Sequence, residues 1–261
     1  MEKKFINENV QVIDGAEAER LIKEKNDAKY FEEKVGIKKV DKSRWREAQN
    51  YERYTWCVGG GKYSKDDRNI EHKNHFDGYK TLISDLPRDI TAIELGCGPF
   101  TNLNVILPLL RKNILTVDLL DPLLNDYILS SPNCTYKNGS LHFYHTTTIN
   151  SSIEEFNNTK TYDLVVMINV LEHCFDIDLI FDKVFNMMNE GGILVFADKV
   201  MKEHALKECI ENIYDAGHPI RISEEYIDEK IKPFRTLYSH DVLDEKGAFH
   251  DYVVKYLILQ K

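Results

Sequence analysis

The 261-residue sequence lacks the features that mark secreted, membrane-spanning and disulfide-stabilised proteins. Its five cysteines are an odd number with no C-x-x-C pair, so we expect free thiols in a reducing compartment. No stretch approaches the roughly 20 apolar residues that a membrane-spanning helix needs. The charged N-terminal stretch MEKKFINENVQ also lacks the apolar core of a secretory signal. We therefore expect a cytoplasmic protein that makes no membrane contact.

A strong excess of basic charge is missing as well. The net charge is −9, and residues 1–80 carry 18 basic against 16 acidic side chains. Proteins that bind the phosphate backbone of DNA or RNA normally present a basic surface, so nucleic acid is not the expected partner. The hydrophobic content of 43% is enough to fill a globular core.

From residue 91 onward, short apolar runs alternate with helix-like stretches. Alternation of this kind predicts βαβ units and an α/β fold with a doubly wound, mostly parallel sheet. Two further apolar runs, joined by EKGAF, predict a C-terminal antiparallel hairpin. The predicted strands are 91–95, 114–120, 140–148, 162–169, 193–200, 234–244 and 250–260, and the predicted helices include 15–35, 43–57, 76–86, 203–215 and 223–231.

Two glycines separated by one residue follow the first of these strands, in AIELGCGPFTN (92–102). Glycine lets the backbone turn with positive φ and lets a ligand approach without a Cβ in the way. The third glycine of a pyrophosphate-binding G-x-G-x-x-G is replaced by Thr101, and no G-x-x-x-x-G-K-[ST] string is present. An acid at the end of the second strand commonly grips ribose hydroxyls in this architecture. Asp121 is the favoured candidate because Pro122 ends the strand there, and Asp118 is the alternative.

The sequence resembles class I S-adenosylmethionine-dependent methyltransferases, in the branch with an N-V-L-E-H string after the fourth strand. The resemblance rests on ELGCGPFTN, LLDPLLNDY, YDLVVMINVLEHCFD and NEGGILVFADK, in this order and at suitable spacing, with the terminal hairpin. It covers residues 76–261 and implies a seven-stranded sheet and S-adenosyl-L-methionine as the cofactor. Residues 1–75 would form an N-terminal helical and aromatic extension that covers the substrate. One departure is Phe100, where the family often has a third glycine.

The resemblance also implies roles for particular residues. Glu94 and the glycine turn would line the methionine end of the cofactor, Asp121 would hold the ribose, and the residues after the third and fourth strands would contact the adenine and the sulfonium. If the acceptor is a hydroxyl or an ammonium, a base must remove its proton, and His173 is the first candidate because imidazole titrates near neutrality. A thiol, a carboxylate or a free amine would need no strong base. The implied cofactor residues are Glu94, Gly96, Cys97, Gly98, Asp121, Pro122, Ser152, Ile153, Asn169, Val170 and Leu171, and the implied substrate residues are Tyr51, Tyr54 and Trp56. Asp198 is a further substrate candidate because it lies at the carboxyl edge of the fifth strand, where a structural salt bridge is the alternative role.

A catalytic metal is not expected. Some methyltransferases bind a cation through an E-x-x-E-H string, but Asn169 replaces the first acid here and leaves only Glu172 and His173. His142 and His145 could add ligands, although core or surface roles are more common for such histidines.

The sequence favours O- or N-methylation of a small-molecule or saccharide-type acceptor. Two alternatives stay open: methylation of a macromolecule such as protein or RNA, and a partner subunit that binds the cofactor without turnover. A basic groove would indicate the first alternative, and its candidate residues are Lys38, Lys39, Lys42, Arg44 and Arg46. The acceptor and the oligomeric state are not specified by the sequence.

Overall fold

The computed structural model describes the greater part of the chain. The described ranges are 38–58, 68–75, 86–203, 205–206, 216–243 and 253–261, with the backbone of 4–7 and 10–12. The first elements are two short strands, β1 (Lys4–Asn7) and β2 (Val10–Val12), which pair antiparallel. Within the described ranges, no helix is long and apolar enough to cross a membrane.

The core of the protein is an eight-stranded mixed sheet of order β5-β6-β4-β3-β7-β8-β10-β9. β6, β4, β3, β7 and β8 run parallel, while β9 and β10 form the antiparallel hairpin that the sequence predicts. The fold prediction is therefore confirmed, with a short eighth strand, β5, added at one edge. The strands are β3 (Asp89–Leu95), β4 (Asn113–Leu120), β5 (Ser140–Leu141), β6 (Tyr144–Ile149), β7 (Tyr162–Ile168), β8 (Met188–Val200), β9 (Arg235–Leu243) and β10 (Val253–Gln260).

Helices cover the sheet and its carboxyl edge. They are α1 (Lys42–Arg53), α2 (Asn69–His75), α3 (Leu103–Leu110), α4 (Leu124–Ser130), α5 (Asp178–Met187) and α6 (Glu224–Lys230). The central strands alternate between two buried clusters: Ile93 and Val165 belong to one, Ala92 and Leu164 to the other. Because successive strand residues point to opposite faces, the two clusters lie on opposite faces of the sheet.

Two predictions are wrong in detail. The predicted strand 140–148 is interrupted by a turn in which His142 adopts a φ of 53°, so His142 and His145 do not share one strand. Residues 69–75 form α2, where the sequence predicts no helix. The predicted helix 15–35 lies outside the described residues, as do all of 76–86 except its last residue and most of 203–215.

Residues 38–58 of the extension pack on the sheet's carboxyl edge. A bridge between Lys39 and Asp176 brings the chain in, and the Asp41 side chain caps α1 by accepting from the Arg44 N–H at 2.9 Å. A π-helical turn (Tyr54–Val58) extends α1. Along α1 and this turn, Trp45, Gln49, Glu52 and Trp56 recur at helical spacing and face one cavity.

Candidate functional site

A cavity of about 370 Å³ lies at the carboxyl ends of β3, β4 and β7. These strands are parallel neighbours, so the turns that follow them meet at one edge of the sheet. α1 with its π-helical turn, α2, the loop after β6, Lys199 of β8 and His218 supply further parts of the wall. Ligands of doubly wound sheets bind at this edge, so the cavity is the candidate site.

The glycine turn after β3 is fixed by hydrogen bonds to the neighbouring strand. The N–H groups of Gly96 and Cys97 donate to the Leu120 carbonyl at 2.8 and 3.1 Å. Gly96 has a φ of 65°, and a Cβ there would come within 2.8 Å of both methyl groups of Val170. Gly98 has a φ of 53°, but a Cβ there would meet nothing within 4 Å. The first glycine is therefore needed for packing, while the second leaves main chain bare beside open space.

Glu94 was predicted to line the cofactor, but it lies behind the turn rather than in the cavity wall. Its buried carboxylate accepts hydrogen bonds from the Thr101 hydroxyl, from the N–H of Leu103 at 3.0 Å, and from both the N–H and the side chain of Asn102. Burial raises the pKa of Glu94, and these hydrogen bonds oppose the rise. Glu94 therefore holds the start of α3 and, through it, the position of the glycine turn.

Asp121 ends β4 at the cavity wall. Its carboxylate accepts from the Gly98 N–H at 3.0 Å and from the Leu123 N–H at 2.8 Å, so it ties the two turns together. Burial raises the pKa of Asp121 to about 6 despite these bonds. The alternative, Asp118, is fully buried away from the wall, where it accepts from Lys160 and Tyr162 at 2.8 and 2.7 Å.

Asp198, a residue of β8, fixes the loop after β7. Asn169 turns the chain with a φ of 57°, and Asp198 then accepts from the N–H groups of Val170 and Leu171 at 3.0 and 2.8 Å. Asp198 was predicted to contact substrate and Leu171 to contact cofactor, but neither is in the wall, and both side chains are buried. Burial first, and the nearby Glu172 second, raise the pKa of Asp198.

The residues predicted for the adenine end, Ser152 and Ile153, are in the wall and almost fully buried. The next residue, Glu154, also lines the cavity and accepts from the N–H groups of Phe175 and Asp176 at 2.6 and 3.2 Å. The loop after β6 is therefore tied to the loop after β7.

His173 is a neutral imidazole with a defined tautomer. Its Nδ1 lies 3.1 Å from the Gly217 carbonyl, which can only accept, so Nδ1 carries the proton and Nε2 has the free lone pair. Burial lowers the pKa of His173, and the carboxylate of Glu52 raises it, with Oε1 3.9 Å from Nδ1. The carbonyl of His173 accepts from Trp45 Nε1 and Gln49 Nε2 at 3.0 and 3.2 Å, so α1 fixes its backbone.

The aromatic residues of the extension divide into two groups. Tyr51 and Trp56 line the cavity, whereas Tyr54, predicted with them, does not. Trp56 meets Phe100 edge to face at a centroid distance of 6.0 Å. The side chain that departs from the family pattern at position 100 therefore anchors the extension to the glycine turn.

Twelve predicted site residues share the wall, and four, Glu94, Leu171, Tyr54 and Asp198, lie outside it. The twelve are Gly96, Cys97, Gly98, Asp121, Pro122, Ser152, Ile153, Asn169, Val170, His173, Tyr51 and Trp56.

Sequence reasoning also missed wall residues, including Gln49, Glu52, Arg68, Lys199 and His218. The helical spacing of Trp45, Gln49, Glu52 and Trp56 was the signal that could have identified two of them.

The wall suits the nucleoside cofactor that the resemblance implies. Gly98 leaves an open approach to main chain, and the Asp121 carboxylate faces the same space. Among the described residues, no group of three or more His, Cys, Asp or Glu side chains could hold a metal ion. His142 lies instead on the surface, where Nε2 is 2.7 Å from the Asn104 carbonyl.

Comparisons with known proteins agree with this architecture. Residues 93–194 match a family model described as a methyltransferase domain. No curated protein matches the chain.

Among solved structures, the N-methyltransferase NodS from Bradyrhizobium japonicum WM9, in complex with S-adenosyl-L-homocysteine, is 16% identical with a TM-score of 0.52. The match covers 84% of this chain and 97% of that one. The 1,6-didemethyltoxoflavin-N1-methyltransferase from Burkholderia thailandensis is 11% identical with a TM-score of 0.55, covering 87% and 93%. The [4+2]-cyclase SpnF is 13% identical with a TM-score of 0.58, covering 88% and 98%. At these identities, the likeness is one of fold.

Proposed function

We propose that this protein is an S-adenosylmethionine-dependent methyltransferase that acts on a small molecule and methylates an oxygen or nitrogen atom of it. The observation that carries the proposal is the cavity. Its volume of about 370 Å³ lies within the range of about 300–1,000 Å³ typical of small-molecule sites. Nine of the eleven residues predicted to hold the cofactor line it, and α1 and α2 cover it.

When bound, S-adenosylmethionine supplies a methyl group on a positively charged sulfur, which is set up for in-line displacement. The residues of the chain bind and orient the reactants and exclude water. The Asp121 carboxylate would accept hydrogen bonds from the two ribose hydroxyls. The N–H groups of Gly98 and Leu123 already hold this carboxylate in place. Ser152 and Ile153 would flank the adenine.

His173 would act as the general base. Its lowered pKa keeps the imidazole neutral at pH 7, and its Nδ1–H is used by the Gly217 carbonyl. No described residue bonds to Nε2, so this nitrogen can take a proton from the acceptor as the methyl group is transferred.

A macromolecular acceptor is less well supported, because three of the five residues of the candidate basic groove are engaged within the chain. Lys39 pairs with Asp176 at 2.6 Å, and Lys42 pairs with Glu155 at 2.5 Å. Arg44 is buried, with its guanidinium 3.2 Å from the Ala216 carbonyl. The neighbours support the small-molecule assignment: the Burkholderia thailandensis protein holds 1,6-didemethyltoxoflavin together with S-adenosylhomocysteine.

The test has two stages. Calorimetry with S-adenosylmethionine and S-adenosylhomocysteine should give saturable binding, which Asp121→Ala should abolish while the far-ultraviolet circular dichroism stays unchanged. Production of S-adenosylhomocysteine is then measured with libraries of small amines, phenols, alcohols and saccharides, and in parallel with total RNA and unfolded protein. Turnover only with RNA or protein would overturn the small-molecule proposal. An unchanged dissociation constant in Asp121→Ala would overturn the cofactor site.

A further inference from the structure

Glu52 is an acidic side chain inside the cavity wall. It lies on α1, and its side chain is 15% exposed. Its Oε2 accepts from the Trp56 indole N–H at 2.9 Å, which fixes the carboxylate. Its Oε1 lies 3.9 Å from Nδ1 of His173. The proton on Nδ1 is already donated to the Gly217 carbonyl, so it does not serve Glu52. A Cβ on Gly217 would come within 2.7 Å of Oε1, so the backbone passes close on that side.

The carboxylate of Glu52 has acceptor capacity that the protein does not use. Among the described residues, no donor lies within hydrogen-bond distance of Oε1, and no lysine or arginine comes within 4.0 Å of the carboxylate. An ionised carboxylate removed from most of its water is stable only when a donor or a cation reaches it. Because Glu52 lines the cavity, a cavity ligand is in position to supply that partner.

The charge of the cavity wall is divided between two ends. Burial first, then Arg68 and Lys199 among nearby positive groups, lower the pKa of His72 to about 4, so these two cations lie near that end. Glu52 instead raises the pKa values of Asp121 and His173, so it acts at the other end. Glu52 is therefore an acid of the wall whose charge reaches both the predicted ribose contact and the candidate base.

Aromatic side chains accompany Glu52. Trp45, Tyr51 and Trp56 line the cavity from the same helical segment. Aromatic faces attract cations and cover the apolar parts of a ligand. An acid, aromatic rings and a neutral imidazole together match a protonated amine better than a hydroxyl, a thiol or a carboxylate.

We propose that the methyl acceptor is an amine, bound as its ammonium by Glu52 and deprotonated by Nε2 of His173. This inference rests on the proposed function and names the acceptor atom. The ammonium gives one proton to Nε2, and the freed nitrogen lone pair forms a bond to the methyl carbon. The carbon–sulfur electron pair stays on the sulfur, which becomes a neutral thioether, and the positive charge ends on the methylated nitrogen. The proton on His173 then leaves to solvent.

The cation at Glu52 could also come from the cofactor, through its amino-acid ammonium or its sulfonium, so the experiment separates these sources. Glu52→Gln keeps an acceptor for Trp56 and removes the charge. Glu47→Gln is the matched control, because Glu47 is an exposed acid on the same helix. For both variants, calorimetry gives the dissociation constants of S-adenosylmethionine and S-adenosylhomocysteine.

The acceptor probes are matched pairs: benzylamine with benzyl alcohol, and 2-phenylethylamine with 2-phenylethanol. Each is titrated into the protein saturated with S-adenosylhomocysteine. The amines should bind more tightly than the alcohols, and Glu52→Gln should weaken amine binding about ten- to a hundred-fold, the effect of losing one charged hydrogen bond. Glu47→Gln should change nothing, and neither variant should shift the cofactor constants more than about two-fold.

The outcomes are distinct. Equal binding of amine and alcohol, or no saturable binding of either amine, would overturn the proposal while leaving cofactor binding intact. Weaker binding of both cofactors to Glu52→Gln would assign Glu52 to the cofactor ammonium, and weaker binding of S-adenosylmethionine alone would assign it to the sulfonium. Absence of cofactor binding by the unmodified protein would refute the proposed function itself.

Discussion

The two glycines of the turn after β3 should respond differently to the same substitution. Gly96 and Gly98 both have positive φ, 65° and 53°, so alanine at either position costs about 1–2 kcal/mol in backbone strain. Only at Gly96 does the new Cβ meet other atoms, the two methyl groups of Val170 at 2.7 and 2.8 Å. Val170 is buried and β-branched, so it has little freedom to move away.

Overpacking of this kind costs about 1–3 kcal/mol in addition. Gly96→Ala should therefore lower the free energy of unfolding by about 2–5 kcal/mol, and Gly98→Ala by about 1–2 kcal/mol. The effect of Gly98→Ala on cofactor affinity should be large relative to its effect on stability. The Cβ at Gly98 projects into open space beside the Asp121 carboxylate, so Gly98→Ala should weaken S-adenosylhomocysteine binding without much loss of stability.

Urea denaturation of Gly96→Ala and Gly98→Ala, each alone and combined with Val170→Ala, measures these changes in the free energy of unfolding. Val170→Ala removes both clashing methyl groups and leaves only Val170 Cβ, which would lie 3.3 Å from the new atom. Gly96→Ala should then cost about 1–3 kcal/mol less than in the wild-type background, and Gly98→Ala should cost the same in both. If Gly96→Ala is no less stable than Gly98→Ala, or if Val170→Ala gives no relief, the reasoning about this turn is refuted.

Three further predictions concern buried charges. The pKa of Asp121 is raised to about 6, so only about a tenth of it is ionised at pH 5, and S-adenosylhomocysteine affinity should fall about ten-fold between pH 7.5 and pH 5. Calorimetry on Asp121→Asn should give weaker binding with no such slope. Glu52→Gln should lower the pKa of His173 further, because the Glu52 carboxylate raises that pKa in the wild-type protein. ¹⁵N NMR titration measures the pKa of His173, and an unchanged value in the variant would contradict an interaction between the two side chains. Asp198 has a raised pKa in the folded protein, so the native state holds its proton above pH 4 while the unfolded chain loses it. Wild-type stability should consequently fall as the pH rises from about 4 toward neutrality, and urea midpoints of Asp198→Asn should show a smaller fall.

The site residues that could be predicted from the sequence are those in short contiguous motifs at the ends of strands. The glycine turn, Asp121 and Asn169 each follow a strand directly, and parallel strands bring their carboxyl ends together. The order of strands and helices could also be predicted, because each element has its own pattern of apolar residues.

Residues whose role depends on distant backbone groups were not predictable. Glu94 and Asp198 are acids at strand ends, as a ligand contact would require, but backbone N–H groups of α3 and of the loop after β7 use their oxygens. Glu52 shows the opposite case. It lies among charged surface-type residues in the sequence, and only the docking of α1 on the carbonyl of His173 brings it into the cavity.

The strand order has a consequence for how the chain acquires its structure. β10 pairs with β8 along eight residues, from Val253 with Val200 to Gln260 with Ile193, and it separates β8 from β9. During synthesis, β8 is complete some fifty residues before this partner is made, and one side of a long apolar strand stays unpaired for that interval. A ribosome-bound nascent chain halted after β9 should therefore be the species most prone to self-association, and chaperones that shield extended segments would find their binding site on β8.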